Sequence, residues 1–128
     1  MSHTTKPVTQ VAEVAVNSAE RNGTPSPLFV EKGSVSLSCR KREDFLQQQG
    51  LIHAGVVTTI GDVACGYTAL SMMPEGYEVL SVEFKVNMLR PPLAEKMVAT
   101  GHIVKAGRKL IITEAEVVDD ATGKMIAK

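Results

Sequence analysis

The sequence is short of the residues that mark several common functional classes. It has no tryptophan, two tyrosines and three phenylalanines, and its 14 Lys and Arg residues are balanced by 14 Asp and Glu residues. A protein without net positive charge lacks the attraction that draws proteins to nucleic acid or anionic lipid, and few aromatic rings leave little for single-stranded bases to stack on. We therefore expect neither a nucleic-acid partner nor a membrane partner.

Cysteine is also scarce. The two cysteines, Cys39 and Cys65, form no C-x-x-C pair and belong to no histidine cluster with zinc spacing. Residues 1–7 have no apolar run after their positive charge, so they do not resemble a secretory signal. These absences predict a cytoplasmic protein with no metal site, whose two cysteines are reduced and chemically inert in the core.

Length and composition predict one domain. The chain has 128 residues, of which 44% are hydrophobic and 22% are charged, as is typical of a globular domain. We predict a single domain over residues 1–128, with residues 1–8 as a flexible leader. A chain of this size buries only about two-thirds of its unfolded surface, so association with a second copy would add to its stability.

The spacing of apolar residues predicts helices and strands in turn. Helical spacing predicts a helix over residues 8–21 and a short helical turn over 43–49. Alternation predicts strands over 28–30 and 34–40, joined by a turn that ends at Gly33. Four later segments have strand character: 77–89, 94–106, 108–118 and 124–127.

Residues 54–73 predict a long buried helix. These 20 residues carry one charge, Asp62, which is typical of a helix that is apolar nearly all round. A membrane span is the alternative, but inserting Asp62 would cost about 2.5–3.5 kcal/mol, and no Lys or Arg flanks the segment closely. The last four predicted strands have no crossover helices, which excludes a parallel βαβ arrangement. The sequence predicts an α+β fold with one antiparallel sheet wrapped around this central helix.

The start of this helix and Asp62 are the candidate chemical groups. The backbone N–H groups that begin a helix have no intrahelical partners, and here Ala54 and Gly55 are small enough to let a ligand approach them. Such donors stabilise the negative oxygen that develops when a carbonyl is attacked. A carboxylate in an apolar helix is costly unless it is paired or faces a cavity. A purely structural interpretation, with small residues for packing and Asp62 satisfied by nearby hydroxyls, stays open.

These two groups lie too far apart to act together within one chain. Gly55 and Asp62 are seven residues apart, which is about 10 Å along a helix that rises about 1.5 Å per residue. One carbonyl carbon cannot be in contact with both. Antiparallel helices from two subunits would bring Gly55 of one to Asp62 of the other, so the spacing predicts a homodimer, and a homotetramer stays open.

Three segments resemble the hotdog-fold acyl-CoA thioesterases, specifically the branch that includes the phenylacetate-pathway thioesterase. The His-Ala-Gly sequence at 53–55, followed by Asp62, is similar to the His-Gly-Gly and Asp of that family. Residues 80–91 are similar to its strand that ends in an Arg-Pro break, and residues 101–108 to its hairpin with a basic, glycine-containing turn. The resemblance covers most of the chain from Ser34 onward and implies the hotdog fold.

The resemblance also implies an activity and a set of site residues. It implies hydrolysis of an acyl-CoA, with coenzyme A as part of the substrate and no separate cofactor. Asp62 would be the general base or nucleophile, and the N–H of Gly55 or Ala54 would bind the thioester oxygen. Ser81 falls where some members place a hydroxyl that positions the attacking water. Gln47 falls where several members have an asparagine, and Ala54 replaces the first glycine of the usual pair.

The remaining candidates are a histidine and several cations. His53, at the start of the helix, would orient a backbone carbonyl or the substrate, or else would cap or pack. The basic residues would meet the phosphates of coenzyme A or lie in solvated turns. They are Arg90, Lys105, Arg108 and Lys109.

Two other functions stay open at this point. A hydratase or dehydratase of acyl thioesters on the same fold would need a paired His and Asp, and His53 lies at the wrong end of the helix for this role. An acyl-CoA-binding domain without catalysis would keep the pocket and need an attached effector module.

Overall fold

The computed structural model describes residues 2–4, 26–42, 46–47 and 50–128. The predicted helix over 8–21 and most of the predicted turn over 43–49 lie outside these residues. The elements follow one another in this order: strands β1 (Ser2–Thr4), β2 (Ser26–Glu31) and β3 (Ser34–Arg40), helix α1 (Ala54–Leu70), and strands β4 (Glu78–Leu80), β5 (Lys96–Ala106), β6 (Ile111–Asp119) and β7 (Met125–Ala127).

Five strands form one antiparallel sheet in the order β2, β3, β5, β6, β7. Alternate side chains of these strands point to one face of the sheet, where α1 packs against β3, β5 and β6. The buried core lies between them and includes Val35, Leu37, Met97, Ala99 and Val117 from the strands and Val57, Ile60 and Ala64 from the helix. The predicted α+β fold, an antiparallel sheet around one central helix, is confirmed.

The glycine at position 101 allows α1 to lie close to β5. A Cβ atom at this position would lie 2.8 Å from the carbonyl oxygen of Ala64 and would collide with Oγ1 of Thr68. Thr68 is fully buried, and its Oγ1 accepts a hydrogen bond of 3.2 Å from the N–H of Val35. The helix and two strands therefore meet at a point where no side chain fits on β5.

We expect Gly101→Ala to lower the free energy of unfolding by about 1–3 kcal/mol, because the added methyl group meets helix backbone that cannot rotate away. Gly61→Ala is the matched control, since a Cβ there would lie 3.8 Å from Cγ2 of Val117, an ordinary contact. Alanine is also a better helix former than glycine by about 0.8–1.0 kcal/mol, which favours Gly61→Ala within α1. Urea unfolding of both variants measures the difference, and an equal loss in the two would contradict this account.

Helix α1 ends three residues earlier than predicted, at Leu70 rather than at residue 73. The hydroxyl of Ser71 explains the difference, because it donates to the carbonyl of Thr68 at 2.6 Å and accepts from the N–H of Gly33 at 2.8 Å. These bonds tie the helix end to the β2–β3 turn, and Pro74 follows soon after. No helix within the described ranges is long and apolar enough to cross a membrane.

The predicted strand over residues 77–89 is wrong as a continuous element. Only β4 is a strand there, and residues 81–87 belong to none. Asn87 and Leu89 do hydrogen-bond to residues 126–128, beside β7. Among the described residues, the backbone pairing of this region after β4 is confined to residues 87–90. The other predicted strands agree with the observed limits to within three residues.

Part of the predicted flexible leader is paired. Ser2–Thr4 forms β1, which runs antiparallel to β4 in a separate two-stranded sheet. The edge of β4 supplies unpaired backbone groups, which explains why a segment without strong strand character pairs there. The rest of residues 1–8 lies outside the described part of the chain.

Candidate active site

A groove of about 960 Å³ opens beside one face of α1. The helix residues that line it are Val57, Thr58, Gly61, Asp62 and Cys65. Spacings of three and four residues place them on one side of the helix. Residues 81–87 line a second side of the groove, and residues 110–115, mostly from β6, line a third. The groove is therefore apolar along most of its walls, with one helix carboxylate among them.

Asp62 and Ser81 are in direct contact at this groove. The Ser81 hydroxyl donates a hydrogen bond of 2.7 Å to Oδ1 of Asp62. Ser81 follows β4 directly, so the end of that strand places the hydroxyl beside the helix. Within the part of the chain that the structure describes, Oδ2 of Asp62 has no hydrogen-bond donor, so this oxygen is available to a water or a substrate. The structure thus brings two of the predicted site residues together.

The start of α1 presents unpaired backbone donors. The carbonyl of His53 accepts from the N–H groups of Val56 at 3.0 Å and Val57 at 3.4 Å. The N–H groups of Ala54 and Gly55 have no acceptor among the described residues. Both residues are exposed, and nothing lies within 4 Å of the position that a Cβ of Gly55 would occupy. Two donors at the positive end of the helix dipole are therefore open to a ligand.

The helix start does not share the groove with Asp62. Neither Ala54 nor Gly55 lines it, as expected from a separation of about two turns along the helix. His53 is exposed, and its side chain makes no capping hydrogen bond. A single copy of the chain therefore holds the carboxylate and the backbone donors at separate places.

The backbone hydrogen bonds of Gln47 join it to its own turn and not to Asp62 or to the start of α1. Its N–H donates to the carbonyl of Leu51 at 2.8 Å, and its carbonyl accepts from the N–H of Gly50 at 2.9 Å. Its side chain is exposed and does not line the groove with Asp62. The backbone of Gln47 thus shapes the turn before α1.

The predicted phosphate-binding cations are not at the groove. Arg90, Lys105 and Arg108 are exposed, and none of them lines it. Lys85 and Lys128 do line it, and the sequence interpretation missed both. Their position depends on which distant segments meet across the groove, and the local sequence gives no signal of that.

Cys65 was predicted to be an inert core residue together with Cys39, and the structure corrects its placement in the core. Cys39 is buried, but Cys65 is only partly buried and lines the groove one turn beyond Asp62. Burial raises the pKa of the Cys65 thiol above its ordinary value, a hydrogen bond from Thr113 lowers it in part, and the carboxylates of Asp62 and Glu114 add to the rise. A raised pKa leaves a neutral thiol at neutral pH. The three-residue spacing from Asp62 was the signal that this residue shares its face.

We expect the free energy of unfolding to fall as the pH rises above about 9, because burial raises the pKa values of Cys39, Cys65 and Tyr67. The unfolded chain loses these protons at lower pH than the folded one, so the unfolded state binds fewer protons and stability decreases with pH. This stabilising contribution is fully present at pH values below the pKa values that the three groups have in the unfolded chain. Thermal unfolding at a series of alkaline pH values measures the slope, and Cys65→Ala should make it shallower. A flat or rising profile would contradict the prediction.

The chain matches known proteins in sequence and in fold. A family model described as the thioesterase superfamily matches residues 49–126. Human acyl-coenzyme A thioesterase 13 is 30% identical over 97 residues, which are 75% of this chain and 69% of the human protein. The crystal structure of a thioesterase family protein from Silicibacter pomeroyi has 34% sequence identity and a TM-score of 0.81, and the match covers 94% of this chain and 91% of that one.

A more distant structure shares the fold. The PaaI protein from the phenylacetic acid degradation operon of Escherichia coli has 16% identity and a TM-score of 0.77, with 94% of this chain and 86% of that chain covered. The hotdog fold implied by the resemblance is confirmed. The matched residues 49–126 contain α1 with Asp62, Ser81 and the strand β6 that borders the groove. On this evidence the chain belongs to the thioesterase superfamily and is a thioester hydrolase.

Proposed function

We propose that the chain hydrolyses an acyl-CoA thioester to the free acid and coenzyme A, and that Asp62 performs the central chemical step. The hydrogen bond of 2.7 Å from Ser81 to Oδ1 of Asp62 carries this proposal. It holds one carboxylate oxygen in place, and Asp62 lines a mostly apolar groove, where a base or nucleophile is effective. The name of the human relative, an acyl-coenzyme A thioesterase, supports coenzyme A as the thiol part of the substrate.

Two routes use the same carboxylate. In the first, Oδ2 of Asp62 takes a proton from a water whose oxygen attacks the thioester carbon, and Ser81 holds the carboxylate in place. In the second, Asp62 attacks the carbon directly to form an anhydride, which water then cleaves. In both, the C–S bond breaks and coenzyme A leaves as a thiolate that takes up a proton. The N–H of Gly55 or Ala54 stabilises the oxyanion.

We further propose that each site is built by two copies of the chain. The spacing between Gly55 and Asp62 supports this, because the two groups lie about 10 Å apart along one helix. Exposed apolar side chains next to the groove also support it: Leu80, Val82 and Phe84 are 61%, 65% and 65% exposed. Clustered apolar surface of this kind is typical of association sites. A tetramer made of such dimers would keep the same composite sites.

Hydrolysis of a thioester adds water and changes no oxidation state, so the proposed reaction needs no redox cofactor. Coenzyme A takes part only as a portion of the substrate. We propose that no metal acts in the reaction, because the carboxylate and the backbone donors supply the base and the electrophilic assistance.

We expect Arg90→Ala or Arg108→Ala to raise KM for an acyl-CoA by about two- to fivefold, the scale of an exposed ionic contact. The corresponding acyl-pantetheine lacks the nucleotide phosphates, so its KM should be almost unchanged. Lys85→Ala is measured in parallel, because Lys85 lines the groove and the two arginines do not. Initial rates with the two substrates measure the difference, and equal effects on both would assign the arginines to structure.

Free-thiol release from short, long and aromatic acyl-CoAs tests the proposed function. A hydrolase releases thiol from at least one of them. A hydratase would instead consume a 2,3-unsaturated acyl-CoA without releasing thiol, and a binding domain would do neither. Within one copy of the chain, His53 is exposed and lies outside the groove that holds Asp62, so the chain alone provides no His–Asp pair for hydration. Hydration of the unsaturated substrate without thiol release from any member of the panel would overturn the proposal.

A further inference from the structure

Two adjacent threonines on α1 differ in the hydrogen bonds of their hydroxyl groups. Oγ1 of Thr59 donates a hydrogen bond of 2.7 Å to the carbonyl of Gly55, as threonines inside helices commonly do. Thr58 makes no such bond, and among the described residues its hydroxyl has no hydrogen-bond partner. Thr58 is partly buried and lines the groove, whereas Thr59 is exposed and does not line it. Thr58 therefore brings an unpartnered hydroxyl to a mostly apolar wall.

Asp62 lies one helical turn after Thr58 on the same side of α1, and both residues line the groove. Side chains four residues apart on a helix have their Cβ atoms about 5–6 Å apart. The two side chains are not bonded directly, because the hydrogen bond that Asp62 accepts within the described ranges comes from Ser81, at Oδ1. Oγ1 of Thr58 and Oδ2 of Asp62 are thus neighbouring polar atoms, each without a partner in the described part of the chain.

The spacing of these two atoms suits one bridging water molecule. Hydrogen bonds of about 2.8 Å on both sides of a water oxygen join atoms about 4.5 Å apart. Side chains one helical turn apart bring two oxygens within that reach. A water at an apolar surface is held only where it has at least two polar partners. Thr58 and Asp62 supply two such partners on the same groove wall.

We propose that Thr58 holds the water that attacks the thioester, an inference that rests on the proposed function. The water donates one hydrogen bond to Oδ2 of Asp62 and the other to Oγ1 of Thr58, so a lone pair on its oxygen is free for the thioester carbon. Asp62 takes the first proton as the new C–O bond forms. The C–S bond then breaks, and the thiolate of coenzyme A takes up that proton.

The role of Thr58 in this step is to direct the water, because its hydroxyl neither gains nor loses a proton overall. The proposal specifies the first of the two routes that use Asp62. Thr58 and Asp62 belong to the same chain, so this part of the site does not depend on how a second copy is arranged.

Thr58→Val and Thr58→Ser test this role. Valine has the shape of threonine without the hydroxyl and a similar helix propensity, so the urea midpoint of unfolding should stay unchanged. We expect Thr58→Val to lower kcat by about five- to tenfold, the scale of one neutral hydrogen bond, with KM within about twofold of wild type. Thr58→Ser keeps the hydroxyl and should restore most of kcat. The assay is thiol release from the acyl-CoA of the panel that the wild type hydrolyses fastest.

Thr100→Val is the matched control, because it removes a threonine hydroxyl outside the groove. Oγ1 of Thr100 shares a hydrogen bond of 2.7 Å with Oγ of Ser36, between β5 and β3. Its loss should move the urea midpoint to a lower concentration and leave kcat within about twofold of wild type. The two valine variants are thus expected to separate an effect on the reaction from an effect on stability.

A double variant gives a readout that a packing role would not produce. In Asp62→Ala the water has lost the group that takes its proton, so adding Thr58→Val should lower the residual rate by less than about twofold. The same five- to tenfold loss in both backgrounds would show that Thr58 acts independently of Asp62 and would overturn the proposal.

The remaining outcomes separate this inference from the proposed function. Wild-type kcat in Thr58→Val would overturn the inference and leave thioester hydrolysis in place. A raised KM with unchanged kcat would do the same and assign Thr58 to substrate binding, and Thr58→Ser as slow as Thr58→Val would exclude the hydroxyl as the cause. No thiol release by the wild-type protein from any acyl-CoA would instead overturn the proposed function, and this inference with it.

Discussion

Asp62→Asn is expected to lower kcat for thioester hydrolysis by at least about a hundredfold, the scale of losing a positioned base. The amide is nearly isosteric with the carboxylate, and its oxygen still accepts the hydrogen bond from Ser81. It can neither take a proton from water nor attack the thioester carbon. The fold should therefore persist while the chemistry is lost. Free-thiol release measures the rate, and urea unfolding verifies that the variant is folded.

Two further variants test whether the loss of activity is specific to the carboxylate of Asp62. Glu114→Gln is the matched control, because Glu114 is another carboxylate at the groove and lies 3.3 Å from the ammonium group of Lys128. It should change kcat by no more than about twofold, because its carboxylate forms an exposed pair with Lys128, whereas Asp62 is bonded to Ser81. Ser81→Ala should lower kcat by about tenfold, because the base stays but loses its orientation. A folded Asp62→Asn variant with wild-type turnover would disprove the mechanism.

The second large effect is expected from mixing two inactive variants. Asp62→Ala lacks the carboxylate, and Gly55→Pro lacks one of the backbone donors. If each site takes one group from each subunit, a mixed dimer has one site with both defects and one site with neither. Random reassociation makes about half of all dimers mixed, so activity should recover to roughly a quarter of wild type if the sites act independently.

The control for this experiment is each variant alone, taken through the same dissociation and reassociation. Proline is tolerated in the first turn of a helix, so Gly55→Pro should still fold. Tagged subunits verify that exchange has occurred. No recovery after verified exchange would place the whole site within one chain and show that the distance argument is wrong.

The elements that carry the proposed site could be predicted because they depend on local sequence. The alternation from Ser34 to Arg40 predicted β3 with the limits that the structure shows. The apolar stretch after His53 predicted the start of α1, and its single charge directed attention to Asp62. The resemblance added Ser81, which is in contact with Asp62. The distance from Gly55 to Asp62 follows from helix geometry alone, so it too was available before the structure.

The surroundings of the site could not be predicted in the same way, because they depend on which distant segments pair. Residues 77–89 alternate like a strand, but a strand needs a neighbour, and after β4 only the region around residues 87–90 pairs with residues 126–128 among the described residues. The same pairing brings Lys85 and Lys128 to the groove, whereas Arg90 and Lys105 lie elsewhere. The cytoplasmic location stays a prediction.

The most direct test of the central claim is a crystal structure of the protein with an acyl-CoA analogue in which a methylene group replaces the thioester sulfur. This analogue keeps the carbonyl and cannot be cleaved. The account predicts that the carbonyl oxygen accepts a hydrogen bond from the N–H of Gly55 or Ala54 of one subunit. It also predicts that the carboxylate of Asp62 from the other subunit lies beside the carbonyl carbon, directly or across one water. A carbonyl bound away from Asp62 would contradict this account, and so would a carbonyl that contacts Asp62 and the N–H of Gly55 or Ala54 of the same chain.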